Sequence, residues 1–97
     1  VGRVGGVSEW MKVAAIADAF GLLVAPHGVP DVHIHMCMGI RNLKAVEYFE
    51  GGWVREGRAE LTTDVPQPVN GMWAPDPDKL GIGFDLLNSA VDKYSVD

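Results

Sequence analysis

The chain has 97 residues, 47% of them hydrophobic and 22% charged, and its formal net charge is −5 at pH 7. This composition is typical of one globular domain or part of one, and the absence of a basic patch argues against nucleic-acid binding. No apolar run approaches the roughly 18 residues of a membrane span, no signal peptide opens the chain, and a single cysteine excludes an internal disulfide, so we expect a cytoplasmic protein without a membrane partner.

The first twenty residues predict a strand followed by a helix. Residues 1–4 are apolar and β-branched around Arg3, and two glycines follow them, which is typical of a strand end and a turn. From residue 7 to residue 20 the apolar positions recur at helical spacing, with Ser8 expected to cap the helix and Gly21 to end it. The residues expected on the apolar stripe are Trp10, Val13, Ala14, Ala17 and Phe20.

A second strand is predicted directly after this helix. Residues 22–25 form a continuous apolar run, as expected for a parallel strand that is covered on both faces. The helix would then be the crossover of a βαβ unit that joins residues 1–4 to residues 22–25. The strand runs into a corner made by Pro26, His27 and Gly28, which places His27 at the carboxyl end of a strand, where α/β folds carry their working residues.

A helix is predicted over residues 32–38, with Asp31 as its cap. His33 and His35 could suggest a metal pair, but residues two apart do not share a helix face, so we expect surface histidines. Cys37 is expected to be a buried small residue rather than a nucleophile.

The remainder of the chain is less regular. Residues 45–49 predict a short strand, and frequent glycines and prolines over residues 51–79 predict extended, irregular chain with short strands near Val54 and near Met72. Residues 86–94 could close as a short helix.

Several segments together resemble the C-terminal part of enolase-superfamily enzymes, and most closely the mandelate racemase and acid-sugar dehydratase subgroup. The segments are RVGGVSEWMKVAAIADAFGLLVAPHG, HIHM, VEYF and APDPDKLGIGFD. The resemblance implies an α/β fold, namely the C-terminal part of a (β/α)8 TIM barrel. Residues 1–4 would end strand 7, residues 7–20 would form helix 7 and residues 22–26 would form strand 8. Residues 1–63 would then belong to the barrel, and residues 64–97 would be an irregular segment that returns toward a capping domain.

The resemblance implies a catalytic role for His27. The family's histidine at this point belongs to a His-Asp dyad and moves the proton on the carbon next to the substrate carboxylate, for which imidazole is suited because its unperturbed pKa of about 6.5 lies near neutral pH. The dyad's aspartate would stand directly before Val1 and is missing from this sequence. The alternative is a rim histidine that bonds a backbone carbonyl.

Glu47 is the second candidate. The family places a glutamate here, near the substrate carboxylate, where a protonated acid can donate to the developing enediolate. The alternative is an exposed glutamate at a strand end. The resemblance also implies that this chain is part of a longer enzyme, called here the parent enzyme, whose cofactor is Mg²⁺. Three carboxylates on earlier strands, which this chain lacks, would hold the ion.

These features predict a parent enzyme that abstracts the proton alpha to a carboxylate with the help of Mg²⁺. The expected reaction is dehydration of a sugar acid by a lyase, with racemisation or epimerisation as the alternative, in a parent that is a homo-oligomer. The isolated 97-residue chain is expected to be inactive. A different alternative is a non-catalytic, self-associating quarter-barrel module, since such a piece exposes strand edges and apolar faces.

Overall fold

Helices account for most of the regular structure in residues 1–50, 57–63 and 67–96, which are the residues that the computed structural model describes. Helix α1 spans Val7–Ala19, α2 spans Pro30–Cys37 and α3 spans Asn88–Tyr94, and a short 3-10 helix covers Arg58–Glu60. Among these residues β-pairing is limited to three isolated bridges. The chain divides into two units, Val1–Tyr48 and Phe49–Asp97.

Helix α1 confirms the helical period predicted after the two glycines. Trp10 and Ala14 are buried on one face, and the helix ends in a Schellman motif at Gly21, whose N–H bonds the carbonyl of Asp18 while Leu22 N–H bonds that of Ala17. Gly21 takes the left-handed φ of 67° that this motif requires.

Predictions about three residues of α1 were wrong, and the first is Val13 of the expected apolar stripe, which is 50% exposed. The N-cap of α1 is Gly6, without a side-chain hydrogen bond, so Ser8 lies inside the first turn instead of capping it. Phe20 is 77% exposed rather than part of the core. The Schellman motif explains this, because the chain reverses direction at the C-cap that Phe20 occupies.

The predicted strand at residues 1–4 is absent, and these residues form a turn. The carbonyl of Val1 accepts hydrogen bonds from the N–H groups of Val4 and Gly6. A strand is stable only when a neighbour pairs with it, and residues 22–25 do not pair with this segment. The predicted βαβ pairing therefore does not form.

The second apolar segment pairs with a later part of the chain. Val24 forms a parallel bridge with Leu43, since Val24 N–H bonds the carbonyl of Asn42 and Lys44 N–H bonds the carbonyl of Val24. The predicted strand at residues 45–49 is not present, because the pairing occurs at Leu43 instead. Leu22 and Leu23 are exposed, contrary to a strand covered on both faces.

Helix α2 begins earlier than its sequence pattern indicated. Pro30 occupies the first turn, where a missing N–H costs nothing, and Val29 is the N-cap. Asp31 therefore lies within the helix, buried, and does not cap it. Met36 and Cys37 of α2 pack with the two buried residues of α1 to form the core of the first unit, so the expected burial of Cys37 is confirmed.

In its described residues, the second unit contains two antiparallel bridges and α3. Thr62 pairs with Leu86, and Val69 pairs with Met72 across a turn, which replaces the predicted strand near Met72. The helix expected over residues 86–94 is present with a later start, at Asn88. The strand predicted near Val54 lies outside the described residues. The division into residues 1–63 and 64–97 stays a prediction.

Candidate active site

The segment between the Val24 bridge and α2 forms a backbone corner that contains His27. Its last two residues, Gly28 and Val29, both have left-handed backbone angles, with φ values of 63° and 34°. Glycine adopts this region at no steric cost, whereas a β-branched residue there is strained by about 1–3 kcal/mol. Contacts with the surrounding residues must therefore stabilise the backbone conformation of this corner.

Glu47 binds this corner in two ways. His27 Nδ1 lies 2.6 Å from Glu47 Oε2, and the N–H of Gly28 donates to the same oxygen at 2.9 Å. The His27 side chain is 64% exposed and that of Glu47 is 34% exposed. The structure thus brings together the two residues that the sequence singled out, and both hydrogen bonds make Glu47 an acceptor.

The contact determines which nitrogen of His27 carries the proton. Because a carboxylate only accepts, Nδ1 of His27 is protonated when it faces Glu47 Oε2. In the neutral ring Nε2 then carries the lone pair. This is the form that can take a proton from a bound substrate.

His33, expected at the surface, is buried, with 1% of the residue exposed. Its Nδ1 donates to the carbonyl of Gly28 at 2.7 Å, and its Nε2 accepts from the Val1 nitrogen at 2.6 Å. The ring also lies 5.8 Å from the Trp10 ring, measured between centroids. Burial lowers the pKa of His33 below its ordinary value, which favours the neutral ring.

Sequence reasoning missed the role of His33, although a signal was present. Met36 and Cys37 follow it at spacings of three and four, which place all three on one helix face. Both neighbours are buried core residues. A histidine on such a face is buried, and its two nitrogens then require partners.

The described residues do not fit a magnesium site. In residues 1–50, 57–63 and 67–96, no group of three or more histidine, cysteine, aspartate and glutamate side chains could hold a metal ion. Both nitrogens of His33 already have hydrogen-bond partners. No helix in this part of the chain has the length and apolar character to cross a membrane.

Residues 1–90 match the family model described as enolase C-terminal domain-like. The chain belongs to this enolase family. The resemblance of the sequence segments to this superfamily is thereby confirmed, and an α/β fold class is consistent with it.

Individual relatives extend this result to the mandelate racemase subgroup. L-talarate/galactarate dehydratase of Salmonella typhimurium is 32% identical over 89 residues, which are 91% of this chain and 20% of that enzyme. A mandelate racemase/muconate lactonizing enzyme-like protein from Rubrobacter xylanophilus superimposes with a TM-score of 0.78 at 30% identity, over 95% of this chain and 25% of that one.

A further solved relative carries ligands. An enolase from Bradyrhizobium, complexed with magnesium and mandelic acid, matches with a TM-score of 0.71 at 27% identity, over 97% of this chain and 24% of its own. The enolase family assignment therefore covers nearly the whole of this chain. The chain in turn spans a quarter or less of the length of these relatives.

Proposed function

We propose that His27 and Glu47 form the proton-transfer pair in the active site of a sugar-acid dehydratase. Further elements of an enolase-type barrel would complete this active site. The observation that carries the proposal is the 2.6 Å contact between His27 Nδ1 and Glu47 Oε2 at the predicted strand end. The talarate/galactarate dehydratase of Salmonella supports the choice of reaction, since talarate and galactarate are sugar acids.

In the proposed reaction His27 Nε2 takes the proton from the carbon alpha to the substrate carboxylate. The electron pair of that C–H bond moves toward the carboxylate as an enediolate and returns to form a C=C bond as the β-hydroxyl leaves. The imidazolium of His27 donates its proton to that hydroxyl, so that one water is released and His27 returns to its neutral form. The enol left behind tautomerises to the 2-keto-3-deoxy acid.

Glu47 would support this cycle by accepting from Nδ1. A carboxylate there holds the tautomer with the lone pair on Nε2 and stabilises the imidazolium that forms, as the third member of a catalytic triad does. The role that the family resemblance implies for Glu47, donation from a protonated acid to the enediolate, stays a prediction. The hydrogen bonds described above are those of an acceptor.

The magnesium dependence also stays a prediction from the family. Since the described residues hold no ligand set for the ion, a metal would have to be bound by other parts of the active site, and the steps above use only side chains of this chain. The 97-residue chain alone is accordingly still expected to be inactive.

Racemisation is the second candidate, favoured by the mandelic acid bound in the relative from Bradyrhizobium. Both reactions begin with the same proton abstraction. They differ in the second step, since a racemase returns the proton to the opposite face of the carbon and expels no hydroxyl. Product analysis separates them, because only dehydration yields a 2-keto-3-deoxy acid.

The test uses the complete protein encoded by the reading frame of this sequence, assayed with Mg²⁺ on a panel of sugar acids that includes galactarate. We expect a 2-keto-3-deoxy acid product, and we expect His27→Asn to lower kcat by about 10²–10⁴-fold. His35→Asn is the matched control and should retain activity. A His27→Asn enzyme with wild-type kcat, or an absence of turnover on every acid, would contradict the proposal.

A further inference from the structure

We propose that Asn70 is a site of spontaneous deamidation, at which the main-chain nitrogen of Gly71 displaces the side-chain amide of Asn70. The residue then becomes aspartate or isoaspartate. The observation behind this proposal is an exposed two-residue turn of sequence Asn-Gly, called here the Asn70 turn, between Val69 and Met72. The Asn70 turn lies in the second unit, and no step of the proposed dehydration uses it.

The backbone of the Asn70 turn has the conformation that Asn-Gly favours in a β-hairpin. Asn70 and Gly71 have φ values of 52° and 74°, and two positive values in succession are typical of a type I′ turn. Val69 and Met72 exchange two backbone hydrogen bonds across the turn, at 2.7 Å and 3.0 Å. In the described part of the chain the N–H of Gly71 has no backbone acceptor, so no hydrogen bond holds its nitrogen in place.

The reaction begins at this nitrogen of Gly71. After losing its proton, the nitrogen uses its electron pair to attack Cγ of Asn70, and a succinimide ring forms. The bond from Cγ to Nδ2 breaks, and the departing nitrogen takes up a proton and leaves as ammonia. Water then opens the ring at one of its two carbonyls. Opening at Cγ gives aspartate, whereas opening at the main-chain carbonyl gives isoaspartate.

The chain has three asparagines, and their surroundings separate Asn70 from the other two. Asn42 is buried, and its amide donates to two backbone carbonyls, so its Cγ is not open to attack. Asn88 begins α3 and precedes Ser89, whose side chain restricts the approach of the peptide nitrogen. Asn70 is exposed and precedes a glycine, which permits the closest approach of the backbone.

The reaction also requires the turn to change its conformation, because the nitrogen of Gly71 has to reach Cγ of Asn70. Val69 and Met72 form an isolated bridge, and they are 67% and 74% exposed. Segments with exposed hydrogen bonds and few buried apolar contacts open at a small cost in free energy. We therefore expect deamidation in the folded protein, without global unfolding.

The two products differ in their effect on the hairpin. Both add one negative charge, but isoaspartate also adds one methylene group to the main chain of the turn. The length of a hairpin loop fixes the pairing of the residues on either side. Isoaspartate should therefore break the bridge between Val69 and Met72, whereas aspartate should preserve it.

The experiment incubates the complete protein encoded by the reading frame in neutral and in mildly alkaline buffer, and it follows each asparagine by peptide mass spectrometry. We expect Asn70 to lose its amide while Asn42 and Asn88 retain theirs, with aspartate and isoaspartate as products. The rate should rise with pH, because the attacking nitrogen has to lose its proton. Circular dichroism follows the fold in the same samples, and modification that appears only after unfolding would overturn the proposal.

Gly71→Ala tests the attacking nitrogen, and Gly81→Ala is its matched control. Gly71 and Gly81 have φ values of 74° and 62°, and a Cβ at either meets no atom within 4 Å, so the two substitutions have a similar conformational cost. Gly71→Ala should slow the loss of the Asn70 amide several-fold, whereas Gly81→Ala should leave the rate unchanged. Equal rates in the two variants, or an Asn70 amide that lasts as long as that of Asn42, would contradict the proposal.

Discussion

His27 Nδ1 lies 2.6 Å from Glu47 Oε2, although the whole of α2 separates the two residues along the chain. The corner at Gly28 and the pairing of Val24 with Leu43 bring them together, because they fix the two ends of the intervening segment. In the proposed mechanism Glu47 would act as an orienting carboxylate for His27, and substitution can test this role.

Replacing Glu47 by glutamine should lower kcat of the complete protein. The amide cannot stabilise an imidazolium, and it can donate to His27 and select the wrong tautomer. Loss of an orienting carboxylate costs a catalytic triad up to about 10⁴-fold, so we expect a loss between about 10-fold and that value. Steady-state kinetics measures it, with the exposed Glu50→Gln as the matched control. Equal kcat values for the two variants would contradict this role of Glu47.

Asn42 should stabilise the fold of the first unit. It is buried, and its side-chain amide donates to the carbonyls of Ala14 at 3.1 Å and Leu22 at 3.0 Å, which ties α1 to the Val24 segment. Asn42→Leu should lower the free energy of unfolding by about 1–3 kcal/mol, because two hydrogen bonds are lost.

Urea titration measures the effect of Asn42. Asn42→Asp should cost more than Asn42→Leu, since a carboxylate would face two carbonyl oxygens. Lys44→Ala, at an exposed site nearby, should change the stability by less than about 0.5 kcal/mol. A leucine variant as stable as the Lys44→Ala protein would show that the two hydrogen bonds contribute nothing.

Any side chain at position 21 should lower the stability of the protein. Its φ of 67° is left-handed, and a Cβ built there meets no other atom within 4 Å, so the cost of Gly21→Ala is conformational and not steric. We expect about 1 kcal/mol of lost stability, and less for Gly21→Asn because asparagine adopts this region more readily. Thermal unfolding measures both.

Gly2→Ala is the control for Gly21, since it is the same substitution at an open site without a positive φ. It should leave the melting temperature nearly unchanged. If both alanine variants have the same melting temperature, the Schellman motif does not determine the stability of the end of α1.

The stability of the protein should fall as the pH drops below 6.5. Burial holds the pKa of His33 below its ordinary value of 6.5, although the carbonyls of Gly28 and Val29 and the Asp31 carboxylate oppose the shift. Between the unfolded and the folded pKa the unfolded chain binds a proton that the folded chain does not. The contribution of His33 is therefore complete above pH 6.5 and is lost as the pH falls through the folded pKa.

Urea midpoints measured above and below pH 6.5 test this prediction. His33→Asn lacks the titrating ring and should show a weaker dependence over the same interval. A wild-type midpoint that does not change with pH, or one that rises on acidification, would contradict a neutral buried ring.

The sequence by itself determined the features that depend on neighbouring residues. Helical spacing predicted α1 and the burial of Trp10, and Gly21 predicted where the helix ends. These features follow from the sequence because their hydrogen bonds join residues three to five apart. The combined order of the segments was also sufficient to indicate the enolase superfamily, which the match over residues 1–90 confirms.

Only the tertiary structure decided which segments pair and which side chains are buried. The apolar residues at positions 1–4 predicted a strand, but a strand forms only against a partner, and Val24 pairs with Leu43 instead. His33 was expected at the surface, but the packing of α2 against α1 encloses its ring. The contact between His27 and Glu47 likewise depends on the folding of everything between them, because non-local contacts are selected by the packing of the whole unit rather than by local preference.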